Sequence, residues 1–215
     1  MSFELNDEQR MMVETARRVV REVIVEPRKD MEFDQSGEFP HAIYRTLWEN
    51  GLVNLEFPES VGGAGLSCTD HCIIGEEIQY GCLGIGTSVA ANSLAAMPLM
   101  LADNAALTKK YLGALTEEPI YAAYGCSEPD AGSDVASMTT KYRKKGDTYV
   151  ITGQKRWITN GDVAKWWTVF AREEGSQGHK GIACFVVDAD APGAKWDSVV
   201  HKMGQRTRSQ VWLAR

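Results

Sequence analysis

The first half of the chain carries apolar residues at helical spacing. After Asn6, a residue type that caps helix N-termini, apolar side chains recur three or four positions apart until Pro27 ends the run. An Ala- and Met-rich apolar stretch in the later part of this half is typical of a helix that lies in a core. Further helices are predicted over residues 40–50, 69–80, 88–101 and 107–115.

The pattern changes near Glu118-Pro119, after which short apolar runs alternate with turn residues. Asn160-Gly161 and Pro192-Gly193 are strong turn signals. Strands are predicted over residues 120–127, 149–152, 156–159, 166–171 and 182–187. Helices followed by strands indicate an α+β protein, with an N-terminal all-α helical domain over residues 1–118 and a small antiparallel β-barrel-like domain over residues 119–215.

Composition narrows the class of protein. Hydrophobic residues make up 44% of the 215 positions and charged residues 24%, which is typical of a soluble globular chain. The formal net charge of -6 does not favour nucleic acid or an anionic membrane as a partner. No uninterrupted apolar run reaches the length of a membrane span, so none is predicted. The first residues are typical of neither a secretory signal nor a transit peptide.

The five cysteines are odd in number and do not form a disulfide pattern. Cys68, His71 and Cys72 could share one face of a helix, but no second pair of ligands stands at a metal-like spacing. We therefore predict no metal site and expect buried or half-buried thiols.

The first motif that could carry chemistry is residues 124–134. A strand is expected to end here, Pro129 fixes a turn, and Gly132 lets the backbone approach a ligand that a Cβ atom would block. The amides and hydroxyl around Gly132-Ser133 could form a nest of donors for a phosphate or a flavin edge. The same residue types also build ordinary strand-ending turns, and local chemistry alone favours that interpretation.

The second motif is residues 153–161. On a strand, Trp157 and Thr159 would project to one face and Ile158 to the other. An indole beside a hydroxyl suits a flat heterocycle, because the ring can stack and the hydroxyl can bond a ring heteroatom. A buried core tryptophan before an Asn-Gly hairpin would produce the same pattern.

Together and in this order, the two motifs resemble the flavin-binding signatures of the acyl-CoA dehydrogenase family. The resemblance extends along nearly the whole chain and is strongest to its medium-chain members. It implies FAD as cofactor, an acyl-CoA substrate that is oxidised to the trans-2-enoyl-CoA, and an electron-transfer flavoprotein as electron acceptor. By the same resemblance, cofactor-binding roles fall on Tyr124, Cys126, Ser127, Gly132, Ser133, Trp157, Ile158 and Thr159.

The resemblance also gives several of these residues a particular place. Tyr124, Cys126 and Ser127 match positions that line the isoalloxazine ring, and Trp157 matches the indole that packs on it. Thr159 matches a hydroxyl near flavin N5. Ser133 matches a residue that contacts the substrate as well as the flavin loop.

The family continues beyond residue 215 into a helical C-terminal domain that holds the catalytic glutamate. The resemblance therefore implies an N-terminal fragment with an incomplete middle domain, and no catalytic residue is assigned. The alternative is a truncated non-catalytic paralogue or splice form with weak flavin or acyl-CoA binding. A third hypothesis, an acyl-CoA oxidase, differs in whether oxygen reaches the reduced flavin. The family also implies a homotetramer when full length, and the mitochondrial matrix as location, or the cytoplasm in bacteria.

Overall fold

A computed structural model of the chain describes residues 4–198, 200, 202–205 and 211–213. These residues divide into two compact units. The first unit comprises residues 4–93, 104–119 and 202–205, and the second comprises residues 94–103, 120–198, 200 and 211–213.

The described helices follow the predicted order. They are α1 (Asp7–Val20), a π-helical turn (Arg21–Val25), α2 (Lys29–Ser36), α3 (His41–Glu49), α4 (Cys68–Gly81), α5 (Leu83–Leu101) and α6 (Ala105–Glu117), with 3-10 turns at Glu59–Val61 and Val135–Ser137.

The predicted start of α1 is confirmed in atomic detail. The Asn6 side chain accepts a hydrogen bond from the Gln9 backbone N–H at 2.8 Å, and the Gln9 side chain accepts one from the Asn6 N–H at 3.1 Å. This reciprocal capping box satisfies two of the donors that a helix N-terminus leaves free. Ser67 and Asp70 cap α4 in the same way.

Helix α2 is missing from the sequence prediction. None of its residues is buried, so it has no apolar stripe for a periodicity argument to detect. It begins after Arg28, which adopts a left-handed backbone conformation with φ of 56°.

Helix α5 begins at Leu83, earlier than the predicted start at residue 88. At 19 residues it is the one helix in the described part of the chain that is long and apolar enough to cross a membrane by length and composition. Its most apolar window is 61% buried, as in the core helix of many soluble proteins. The helix is therefore longer than predicted, and the burial of its side chains favours a position in the protein core.

Three buried polar side chains in the first unit are linked across α3, α5 and the chain that follows α3. The Asn92 amide nitrogen donates to the Tyr44 hydroxyl at 2.7 Å and to the Asn54 side-chain oxygen at 3.2 Å. The Asn54 amide in turn donates to the carbonyl of Leu115 at 2.9 Å. These bonds fix the α3–α5 packing, because an unpaired polar group would be costly in this buried position.

The second unit is built on a seven-stranded sheet. Its strands are β1 (Ala122–Gly125), β2 (Lys141–Lys145), β3 (Thr148–Lys155), β4 (Trp166–Glu173), β5 (Ile182–Asp188), β6 (Ala194–Trp196) and β7 (Val211–Leu213). The sheet order is β1-β4-β2-β3-β7-β6, and β5 pairs with β4. Strand β4 is central: β5 pairs along one edge, and β1 and β2 pair with successive parts of the other.

The predicted order of a helical segment followed by a sheet domain is confirmed, with two differences in the sheet. The β1–β4 and β2–β4 pairs are parallel, so the sheet is mixed rather than wholly antiparallel. Residues 156–159, predicted as a strand, are irregular, and β3 ends at Lys155. Because β3 pairs with β2 and not with β4, Asn160-Gly161 lies in a longer connection instead of a hairpin turn.

Strand β2 was also absent from the prediction. Four of its five residues are basic and exposed, and only Tyr142 is half-buried. A run of charges without alternating apolar positions does not indicate a strand, and here pairing with β3 determines the conformation.

Candidate functional site

The two motifs lie side by side in the second unit. The Arg156 backbone N–H donates to the Ser127 carbonyl at 2.8 Å. The Lys155 ammonium donates to the Cys126 carbonyl at 3.0 Å, across 29 residues of sequence. The loop that follows β1 and the end of β3 are therefore joined by direct hydrogen bonds, which brings together the residues predicted to share a site.

A buried ion pair reinforces this junction. Lys155 Nζ lies 2.8 Å from Glu128 Oε1, and each side chain is only 1% exposed. Glu128 Oε1 also accepts from the Thr140 N–H at 3.0 Å, and Oε2 accepts from the Thr139 N–H at 2.6 Å and the Thr139 hydroxyl at 2.7 Å. A buried carboxylate is tolerated when it is paired and hydrogen-bonded in this way.

This environment keeps the carboxylate charged. Burial alone would raise the pKa of Glu128, but the hydrogen bonds that it accepts, the strongest of them from Lys155, outweigh burial and lower its pKa to about 2. Glu128 is thus a fixed structural anion. Its oxygens are occupied by donors from the protein itself.

The first motif makes a tight turn anchored on Glu128. The Glu128 N–H donates to the Ala131 carbonyl at 2.9 Å, which places Asp130, Gly132 and Ser133 at the surface. A Cβ atom added at Gly132 would meet nothing within 4 Å. The protein's own packing therefore does not require glycine there.

The second motif presents an exposed indole. Trp157 is 57% exposed and has a φ of 59°, whereas Ile158 beside it is 2% exposed. The prediction that Trp157 and Thr159 share one face of a strand is wrong, because this segment is irregular and forms no strand. The alternative of a buried core tryptophan is also wrong.

The backbone of Trp157 is in a conformation that bulky residues rarely adopt. Such outliers cost about 1–3 kcal/mol and persist where the surroundings hold them. On one side of Trp157 the chain is held by the hydrogen bond from the Arg156 N–H to the Ser127 carbonyl. On the other side it is held by the burial of Ile158 and Asn160. The Arg156 guanidinium lies 5.3 Å from the Trp157 ring centroid, near enough for a cation–π contact.

The remaining predicted residues lie close by. Tyr124 is in β1 and half-buried, with its ring centroid 5.2 Å from that of Phe170. Burial raises the pKa of Tyr124 to about 12, so its hydroxyl stays protonated at neutral pH. Cys126, Ser127 and Thr159 are half-buried.

Sequence reasoning missed the residues that join the motifs. Glu128 and Lys155 carry opposite charges, one in each motif, and that complementarity was the available signal. Gly153 was missed as well. A Cβ atom there would lie 2.6 Å from Thr140 Cα, so β3 passes the Thr140 backbone too closely for any side chain at this position. Within the described residues, no group of three or more His, Cys, Asp or Glu side chains is arranged to hold a metal ion.

Comparison with known families agrees with this organisation. Residues 6–119 match the family profile described as "Acyl-CoA dehydrogenase, N-terminal domain", and residues 123–214 match "Acyl-CoA dehydrogenase, middle domain". The chain belongs to the acyl-CoA dehydrogenase family.

Individual relatives resemble the chain in sequence or in structure. The chain is 41% identical over 209 residues to the probable medium-chain specific acyl-CoA dehydrogenase 2, mitochondrial, of Caenorhabditis briggsae, covering 96% of this chain and 51% of that protein. Butyryl-CoA dehydrogenase from Megasphaera elsdenii has a similar structure, with a TM-score of 0.89 and 29% identity, covering 98% of this chain and 56% of that one.

A third relative was solved with a flavin. A glutaryl-CoA dehydrogenase from Mycobacterium smegmatis, in complex with FADH2, gives a TM-score of 0.84 and 25% identity, covering 96% of this chain and 52% of that one. The chain therefore spans about half the length of the relatives that it matches.

Proposed function

We propose that the second unit binds FAD at the junction of the two motifs. The observation that carries this proposal is the direct hydrogen bond from Arg156 N–H to Ser127, which seats the exposed Trp157 indole beside the loop after β1. The proposed cofactor-binding residues are Tyr124, Cys126, Ser127, Gly132, Ser133, Trp157, Ile158 and Thr159.

The chemistry of these residues fits a flavin. An exposed indole offers a face on which a flat ring system can stack, and stacking of this kind suits Trp157 in its fixed backbone conformation. The open backbone at Gly132 and the hydroxyls of Ser127 and Ser133 supply small hydrogen-bonding groups. Ile158 is buried and anchors the segment next to Trp157.

We further propose that the whole protein oxidises an acyl-CoA, and that the acyl chain is of medium length. A bound FAD would supply the acceptor for the hydride that leaves the β-carbon of the thioester. The residues of this chain position the reactants: Trp157 orients the ring, Ser133 contacts the substrate, and Tyr124 remains neutral beside both. The product is the trans-2-enoyl-CoA.

No catalytic base is assigned to these residues. Glu128 is unsuited to proton transfer, because its carboxylate is buried and each oxygen is already bound by the protein. Because no base is assigned, a truncated non-catalytic protein with weak flavin or acyl-CoA binding is the alternative proposal. Bleaching of bound flavin by octanoyl-CoA distinguishes the two proposals.

The remaining proposals rest on the family and on the mitochondrial nematode relative. An electron-transfer flavoprotein reoxidises the flavin, the full-length protein is a homotetramer, and it works in the mitochondrial matrix. We also propose that a helical domain over residues 1–118 precedes a flavin-binding domain that starts at residue 119.

The test is to incubate the purified chain with FAD, remove free cofactor by gel filtration, and add octanoyl-CoA without oxygen. Retained flavin absorbance supports the cofactor proposal, and its bleaching by octanoyl-CoA supports dehydrogenation by these residues. Retained flavin without bleaching would contradict catalysis by this chain alone. A colourless protein would contradict the flavin site itself.

A further inference from the structure

Two thiols lie one helical turn apart near the start of α4, in the first unit. Cys68 is the first residue of the helix and Cys72 follows four positions later. Both are exposed, so the expectation of buried or half-buried thiols is wrong for this pair. Side chains at this spacing share one face of a helix. Partial desolvation, and next to it the Cys68 thiol, raise the pKa of Cys72.

Neighbouring polar groups are already engaged elsewhere. The His71 ring lies 3.0 Å from the Glu56 carboxylate through its Nδ1 atom. Asp70 accepts hydrogen bonds from the Ser67 hydroxyl at 2.6 Å and from the Gln9 side chain at 2.8 Å. The two sulfurs are therefore the ligands that this face offers, and a four-coordinate zinc site would need two more.

The spacing also disfavours a disulfide. Cβ atoms four residues apart on a helix lie about 5–6 Å from each other, whereas a disulfide needs about 3.5–4.5 Å. A direct S–S bond would require the first turn of α4 to unwind. A single bridging atom between the sulfurs would not, so the pair suits a ligand that takes two thiolates and inserts one centre between them.

We propose that Cys68 and Cys72 form a dithiol site that binds a trivalent organoarsenical. Thiolates are soft ligands and prefer soft centres, and a trivalent arsenic that already carries one carbon substituent needs only two sulfurs. The site is independent of the proposed flavin function.

The reaction balances without an oxidant. An arsenoxide, R–As=O, reacts with the two thiols to form two As–S bonds. Two S–H bonds break, and the oxygen leaves with both protons as water. Neither arsenic nor sulfur changes oxidation state.

The probe is phenylarsine oxide, added to the full chain in the presence of excess glutathione as a competing monothiol. Intact mass spectrometry should show one phenylarsenic unit per chain in the wild type, and a dithiol such as dithiothreitol should remove it. Cys68→Ser and Cys72→Ser should each lose the glutathione-resistant adduct completely. Cys184→Ser, which removes another exposed thiol from β5, should retain it.

A second measurement uses only the wild-type protein. Alkylation with iodoacetamide followed by peptide mapping should show that the arsenical protects Cys68 and Cys72 together and leaves the extent of Cys184 alkylation unchanged. No adduct on the wild type, or adducts that persist in both single variants, would overturn the proposal. Protection of other cysteines instead of this pair would also overturn it.

Discussion

Lys155 and Glu128 form a buried ion pair, with 2.8 Å between Nζ and Oε1, that joins the last residue of β3 to the loop after β1. The same ammonium also binds the Cys126 carbonyl. One side chain thus holds both motifs of the proposed flavin site, although neither partner of the pair is placed to touch a ligand. The geometry of the site and the stability of the second unit are consequently coupled.

Removing the charge of Glu128 should destabilise the protein strongly. In Glu128→Gln the Lys155 ammonium remains buried without its counter-ion, and loss of one partner from a buried pair costs about 3–5 kcal/mol. Urea unfolding followed by tryptophan fluorescence measures the effect.

The matched control is Glu174→Gln. Glu174 pairs with Arg143 at 4.0 Å, and its side chain is 61% exposed, so its loss should cost less than about 1 kcal/mol. Equal effects from the two substitutions would contradict the structural role of the buried pair.

Acid should weaken the fold through the same carboxylate. The pKa of Glu128 is lowered to about 2 in the folded protein from an ordinary value of 4.5, so its contribution is fully present above pH 4.5. That contribution is lost as pH falls from 4.5 towards 2, because the unfolded chain then binds the proton more readily. Free energies of unfolding measured across this range should fall more steeply for the wild type than for Glu128→Gln. Parallel pH profiles would contradict this assignment.

Two glycines should respond differently to alanine. Gly153→Ala places a Cβ atom 2.6 Å from Thr140 Cα, and such overpacking costs about 1–3 kcal/mol. Gly132→Ala meets nothing within 4 Å, so thermal unfolding of this variant should match the wild type within about 0.5 kcal/mol.

Gly132→Ala should affect FAD binding although it does not affect the stability of the free protein. If FAD approaches the backbone here, Gly132→Ala should weaken FAD binding while leaving the unfolding temperature of the free protein unchanged. Unaltered FAD affinity in a folded Gly132→Ala protein would remove this residue from the site.

Local sequence signals were enough for the helices that carry caps and an apolar stripe. Asn6 and the spacing after it predicted α1, because capping and burial both leave a periodic pattern. Helix α2 buries nothing and β2 is a run of charges, so neither element leaves such a pattern. Strand β2 takes its conformation from pairing with β3.

The motifs of the site were predictable, whereas their geometry was not. The resemblance to the family assigned flavin-binding roles to Tyr124 and Trp157, and these roles stay a prediction. The left-handed backbone of Trp157 could not be inferred, because the sequence there also fits a strand. The Lys155–Glu128 contact spans 27 residues, and no local pattern determines which charges meet over that separation.

A flavin site at the junction of the two motifs is tested by the affinity of the wild-type chain and of Trp157→Ala for FAD, measured by isothermal titration calorimetry. Trp157 is exposed and strained, so its replacement should leave the fold intact, while loss of stacking worth about 1 kcal/mol should weaken binding roughly fivefold. Saturable binding by the wild type and weaker binding by the variant are the predicted results. No binding by a folded wild type, or equal affinities of the two proteins, would contradict a flavin site at the junction of the two motifs.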